Sequence, residues 1–84
     1  MNGEKIKLSK LILDRNNLPI ENKISFYIEG RVMSEIMVGK PVVIFKINKN
    51  GIPDYGYFYS SIVIEVTENG FVTQNSVYKV EKLG

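Results

Sequence analysis

Apolar and polar residues alternate with a period of two through much of the chain, the spacing of strands with one face in a core. The sharpest case is Ile62, Ile64 and Val66, which alternate with Val63, Glu65 and Thr67. Asn69–Gly70 follows, then Phe71-Val72-Thr73. This predicts a hairpin, because an Asn-Gly pair supplies the positive φ that both central positions of a type I′ turn require. Ile24, Phe26 and Ile28 alternate with Ser25, Tyr27 and Glu29 in another strand, ended by Gly30. Val42 to Ile47 is nearly all apolar, the pattern of a central strand covered on both sides. Pro41 stands at its first position, where a missing N–H does least harm. Tyr57 to Val66 and Val77 to Lys82 complete the set.

The start of the chain fits two patterns. Ile6 and Leu8 alternate with Lys5 and Lys7, as in a strand, while Leu8, Leu11, Ile12 and Arg15 fit one face of a short helix. Gly, Pro and Asn mark turns at Asn16–Pro19, Gly30, Gly39–Pro41, Asn48–Gly56, Asn69–Gly70 and Asn75–Ser76. Short runs between such signals predict an all-β, mostly antiparallel fold of five or six strands. In a chain this short, closure into a small barrel removes the exposed edges that a flat sheet leaves. With 84 residues, positions 1–84 are expected to form one domain.

Composition narrows the chemistry. Histidine, cysteine and tryptophan are absent. Zinc, copper and iron–sulfur sites lean on His and Cys ligands, so no such metal or other cofactor is expected. The absence of cysteine fits a reducing compartment. The formal charge of +2 is mild for a nucleic-acid binder, which carries a clear basic stripe. No apolar run approaches the length of a membrane span, and Met1–Lys10 has no continuous apolar stretch of the secretory kind. A cytoplasmic protein is the expectation.

One stretch carries a resemblance. Glu29-Gly30-Arg31-Val32, Ile36-Met37-Val38-Gly39 and Val42-Val43-Ile44 resemble the start of the β-barrel that forms the second domain of translation elongation factors. That family reads Gly-Arg-Val, a short connection, Ile-x-Val-Gly, two polar residues and Val-x-Ile. Here the connection is one residue shorter, and Lys40–Pro41 stands where the family has an acidic pair. The resemblance implies a barrel of translation-factor or SH3-like type that docks onto RNA or another protein, and it brings no catalytic residue with it. Ser60-Ser61-Ile62-Val63, with Val72 through Tyr78, is similar to the ends of small uncharacterised bacterial β-barrel proteins.

Catalytic signals are thin. Glu29, Glu35, Glu65 and Glu68 are the carboxylates from which a general acid–base pair would have to come, and they also read as solubilising residues on outer faces. Ser60–Ser61 has no evident base beside it, which a nucleophilic serine needs. Gly51, Gly56 and Gly70 form no phosphate-binding motif. Asn48–Gly56 reads as an irregular loop containing Asp54, one carboxylate where a calcium site wants several.

The aromatic run Tyr55, Tyr57, Phe58 and Tyr59 has more content. Alternation predicts Phe58 toward the core with Ile62 and Ile64, and Tyr57 and Tyr59 outward. On the preceding strand, Phe45 and Ile47 are expected inward and Lys46 outward, with Lys49 at the turn. Tyr57, Tyr59, Lys46 and Lys49 would then share one outer surface. Such a surface serves a protein contact, where tyrosine is a preferred anchor, or a nucleic acid, where rings stack bases and cations track phosphates. Cross-strand aromatics also simply stabilise sheets.

These readings predict a non-enzymatic interaction module whose partner is another protein, with nucleic acid as the alternative and no membrane. Its contact residues would be Tyr55, Tyr57, Tyr59, Lys46, Lys49 and Asp54. On the nucleic-acid alternative Lys5, Lys7 and Lys10 join Lys46 and Lys49. The chain would act as a monomer or pair with itself through an edge strand, the tail Tyr78–Gly84 being read as a charged, solvated edge.

Overall fold

The period-two runs become strands in the computed structural model, which describes residues 3–84. They are β1 (Lys5–Leu13), β2 (Pro19–Val32), β3 (Pro41–Lys49), β4 (Ile52–Thr67), β5 (Gly70–Thr73) and β6 (Val77–Lys82). Each pairs antiparallel with the next, and β6 returns to β1, closing a six-stranded barrel. The protein is thus an all-β small barrel, as its turn spacing predicts. The tail is not an edge: Ile6 pairs with Lys82 on one side of β6, and Gly70 with Lys79 on the other.

The ambiguous first segment is strand, and no helix occurs among the described residues. Ile6 and Leu8 are buried, and the register against β2 then shifts between Lys10 and Leu11. The extra residue at that shift, Ser25, lies on β2. Leu8 and Leu11 both lie in β1, opposite Ile28 and Ile24, so their spacing of three residues belongs to a strand and not to a helix.

The core comprises Ile6, Leu8, Ile28, Val32, Val42, Ile44, Val63, Phe71 and Tyr78. Burying one such aliphatic or Phe side chain is worth about 1.5–3 kcal/mol. Phe71 stacks on Tyr78 with ring centroids 4.8 Å apart. Phe58 meets the Tyr78 ring edge-on at 6.3 Å and Phe26 at 6.4 Å, extending the aromatic cluster to β2.

Strand phase departs from expectation at two places. Val42 and Ile44 are the buried residues of β3, whereas Phe45 is exposed. A nearly all-apolar run contains no phase information. β2 supplies it: Val32 pairs with Ile44, and both are buried, while Phe45 falls opposite Arg31. Nor is β3 covered on both faces, because in this barrel its second face turns outward.

In β4 the pairing passes from Val43–Tyr59 to Pro41–Ile62, which places one extra residue on β4. The bulge sends Val63 into the core and leaves Ile62 and Ile64 exposed, the reverse of their expected orientation. Ser60 holds it. Its buried hydroxyl accepts a hydrogen bond from Val42 N–H (2.8 Å) and donates to the Ser61 carbonyl (2.7 Å). The side chain thus replaces a ladder bond that the bulge disrupts.

The two Asn-Gly pairs exchange roles. Asn50 and Gly51 have φ of 55° and 81°, and they join Lys49 to Ile52 in the two-residue turn with positive φ that was expected at Asn69–Gly70. Asn48–Gly56 is therefore not a loop but a hairpin end. Its tip is tied to β2: Asn50 N–H donates to the Tyr27 carbonyl (2.8 Å), and Asn50 Oδ1 accepts from Tyr27 N–H (2.9 Å). The β4–β5 hairpin does form, but it turns at Glu68–Asn69. Gly70 lies inside β5, where a Cβ would collide with the Tyr78 carbonyl oxygen. Gly30, likewise, does not end its strand, since β2 continues to Val32.

Candidate functional site

Strand alternation from Tyr55 to Tyr59 turns Gly56 and Phe58 to one face and the tyrosines to the other. The register then places Phe45 opposite Tyr57 and Val43 opposite Tyr59. Phe45 and Tyr57 meet edge-on with centroids 5.3 Å apart, and Tyr57 lies 6.3 Å from Tyr59. Pro41 and Ile62, paired beyond the bulge, extend this apolar wall. Tyr55, Tyr57 and Tyr59 remain 71%, 56% and 64% exposed. Edge-on ring pairs add about 0.5–1.5 kcal/mol beyond area burial, so sheet stabilisation accounts for the Phe45–Tyr57 contact. It leaves the outer surfaces of the rings uncovered, and contiguous apolar patches of this kind mark interaction sites.

The lysines do not join this surface. Lys46 alternates with Phe45 and so takes the opposite face, where its side chain is only 18% exposed and its Nζ pairs with Asp54 at 2.8 Å. Two of the expected contact residues, Lys46 and Asp54, are thus engaged with each other. Lys49 turns toward β2, its Nζ 5.0 Å from the centre of the Phe26 ring. The expected common surface of Tyr57, Tyr59, Lys46 and Lys49 fails because β3 has the other phase. That same phase adds Phe45 to the tyrosines, a residue that no local signal in β3 could have placed outside.

Two of the other candidate lysines, Lys7 and Lys10, stand on β1 and meet rings of β2 on its two faces. Lys7 Nζ lies 4.5 Å from the centre of the Tyr27 ring, and Lys10 Nζ 5.9 Å from that of Phe26. Cation–π contacts of this sort are worth about 0.5–1 kcal/mol when exposed. Lys7 is flanked across both ladders by carboxylates, Glu29 on β2 and Glu81 on β6. The positive charge is therefore interrupted, and the outward ring of this wall, Tyr27, already carries an ammonium.

The candidate catalytic groups are dispersed or occupied. Glu29 Oε1 accepts a hydrogen bond from Asn48 Nδ2 at 2.7 Å. The Ser60 hydroxyl is engaged with backbone on both sides. Among the described residues no three or more Asp and Glu side chains come together as a metal site would require, and no helix is long and apolar enough to cross a membrane. Shallow hollows of about 210, 300 and 200 Å³ lie under the β5–β6 turn, at the β3–β4 hairpin tip and beside the β4–β5 turn. They fall at or below the lower end of ligand pockets, about 300 Å³.

Comparison with protein-family models, with curated proteins and with solved structures finds no match to this chain.

Proposed function

We propose that the protein is a non-enzymatic interaction module that binds a partner protein through the outer wall of β3 and β4. Tyr55, Tyr57 and Tyr59 are its anchors and Phe45 supports them. The observation that carries this reading is the aligned, uncovered aromatic row. Tyrosine offers large area for little lost rotamer freedom and dominates interface energetics. The resemblance of residues 29–44 implies docking onto RNA or another protein. The separation of the lysines from the tyrosines favours protein. The cysteine-free composition fits the cytoplasm as its place of action.

The test is a pull-down from nuclease-treated lysate with the wild type and the Tyr57→Ala/Tyr59→Ala double variant, followed by titration of the purified partner. Loss of one buried tyrosine anchor costs about 2 kcal/mol or more, about thirtyfold in affinity. Undiminished binding by a folded double variant removes this wall as the site. Binding to single-stranded RNA or DNA that falls steeply with salt replaces the reading with nucleic-acid recognition.

A further inference from the structure

Strand β4 is paired on one side only through its first half. From Ile52 to Ile62 its partner is β3, and β5 joins it only from Val63 to Thr67. In an antiparallel ladder, successive residues send their N–H and C=O groups to opposite sides. Met33 N–H donates to the Val43 carbonyl at 2.9 Å, and the Phe45 carbonyl abuts Gly30, so Val43 and Phe45 face β2. Ile44 and Lys46 accordingly bond to Phe58 and Gly56 of β4. Tyr57 and Tyr59 must then turn their N–H and C=O groups away from β3, toward a side where no strand lies among the described residues.

Natural edges of this kind are guarded by lysine, proline or charge. Between Asp54 and Glu65 the chain has neither a charged residue nor a proline. An uncharged segment is its own electrostatic complement. A two-fold axis at Phe58 sets Tyr57 opposite Tyr59 of the second copy with all four outward-facing polar groups in phase. We propose that two copies of the chain pair antiparallel through this half of β4, in a symmetric contact centred on Phe58. The pairing runs the two sheets together and brings both tyrosine rows onto one continuous outer wall. It goes beyond the partner-binding reading and does not rest on it, since edge pairing leaves that wall open.

The experiment is light scattering on the purified full chain from micromolar to millimolar concentration, with amide hydrogen exchange over the same range. The expected result is a mass that doubles, with Tyr57 and Tyr59 amides that exchange more slowly as concentration rises and a Phe58 amide protected throughout. Tyr57→Pro, which removes an outward N–H and no β3 bond, should weaken the dimer about tenfold or more. Tyr57→Ala, which keeps that N–H, should weaken it less. Because the proline variant can fail to fold, exchange in the wild type decides alone. A single-chain mass at millimolar concentration overturns the proposal, and so does a dimer in which exchange at Tyr57 and Tyr59 is independent of concentration. A monomer that still binds its partner through the tyrosines separates this failure from failure of the partner-binding reading.

Discussion

The barrel has two outer walls built from the same residue types with opposite results. On β1–β2, Tyr27 lies beneath Lys7, which glutamates flank, while Phe26 turns to the opposite face of β2, against the core, where Lys10 and Lys49 meet it. On β3–β4, Tyr55, Tyr57 and Tyr59 have no cation over them among the described residues, Lys46 being held by Asp54 on the other face and Lys49 lying over Phe26. High strand propensity explains why aromatics occur on both walls. It does not explain why one wall is capped and the other bare. The chain has the lysines to cover its tyrosines, and its register sends them elsewhere.

The largest perturbation tests whether the two walls share one core. Phe71→Ala empties the site against Tyr78 and should cost about 3–5 kcal/mol. Urea unfolding followed by probes on each wall should show one transition shifted together. Independent transitions would mean that the walls are separate units. Next comes the device that sets the phase of the bare wall. Ser60→Ala leaves the buried Val42 N–H without its acceptor and should cost about 1–3 kcal/mol. Ser60→Thr, which keeps the hydroxyl, should lose less, and equal losses would show that the hydroxyl does not hold the bulge. Lys7→Ala should cost only about 0.5–1 kcal/mol and leave partner affinity unchanged. A loss of partner affinity would move the site to β1–β2.

The gentlest perturbation is alkali. Burial raises the pKa of Tyr78 above its ordinary 10.0, opposed by a weaker hydrogen bond with Ser76. Unfolded chains therefore release this proton first. Its contribution is complete below pH 10 and is lost as pH rises from there through the folded-state pKa. Tyr78→Phe should flatten that part of the stability–pH curve, and an unchanged curve would show that Tyr78 is not the group responsible.

Tyr57 and Tyr59 were legible as outward residues because alternation with Phe58 leaves them no other place. Barrel closure was legible in the number and length of the strands. Strand phase was not. β3 is apolar on both faces, so its orientation comes from β2, and in β4 the bulge at Ser60 reverses Ile62, Val63 and Ile64. The Asn-Gly pairs show the same limit. Both dipeptides suit a type I′ turn, but Gly70 is required by the nearby Tyr78 carbonyl and only Asn50–Gly51 adopts the turn. Each error came from contacts distant in sequence, which local pattern cannot encode.

The pairing of β6 with β1 also dictates an order of events during synthesis. Of the six barrel strands, β1 leaves the ribosome before the others and finds its second neighbour in β6, so the cylinder cannot shut until Val77–Lys82 has emerged. Until then the uncharged stretch from Tyr55 to Ile64 waits on an open, unfinished sheet. Such non-local closure is slow, on the order of milliseconds to seconds in small β-proteins. Polysomes crowd nascent chains together, so this stretch is where neighbouring unfinished copies would first adhere, and where a chaperone would have the most to shield.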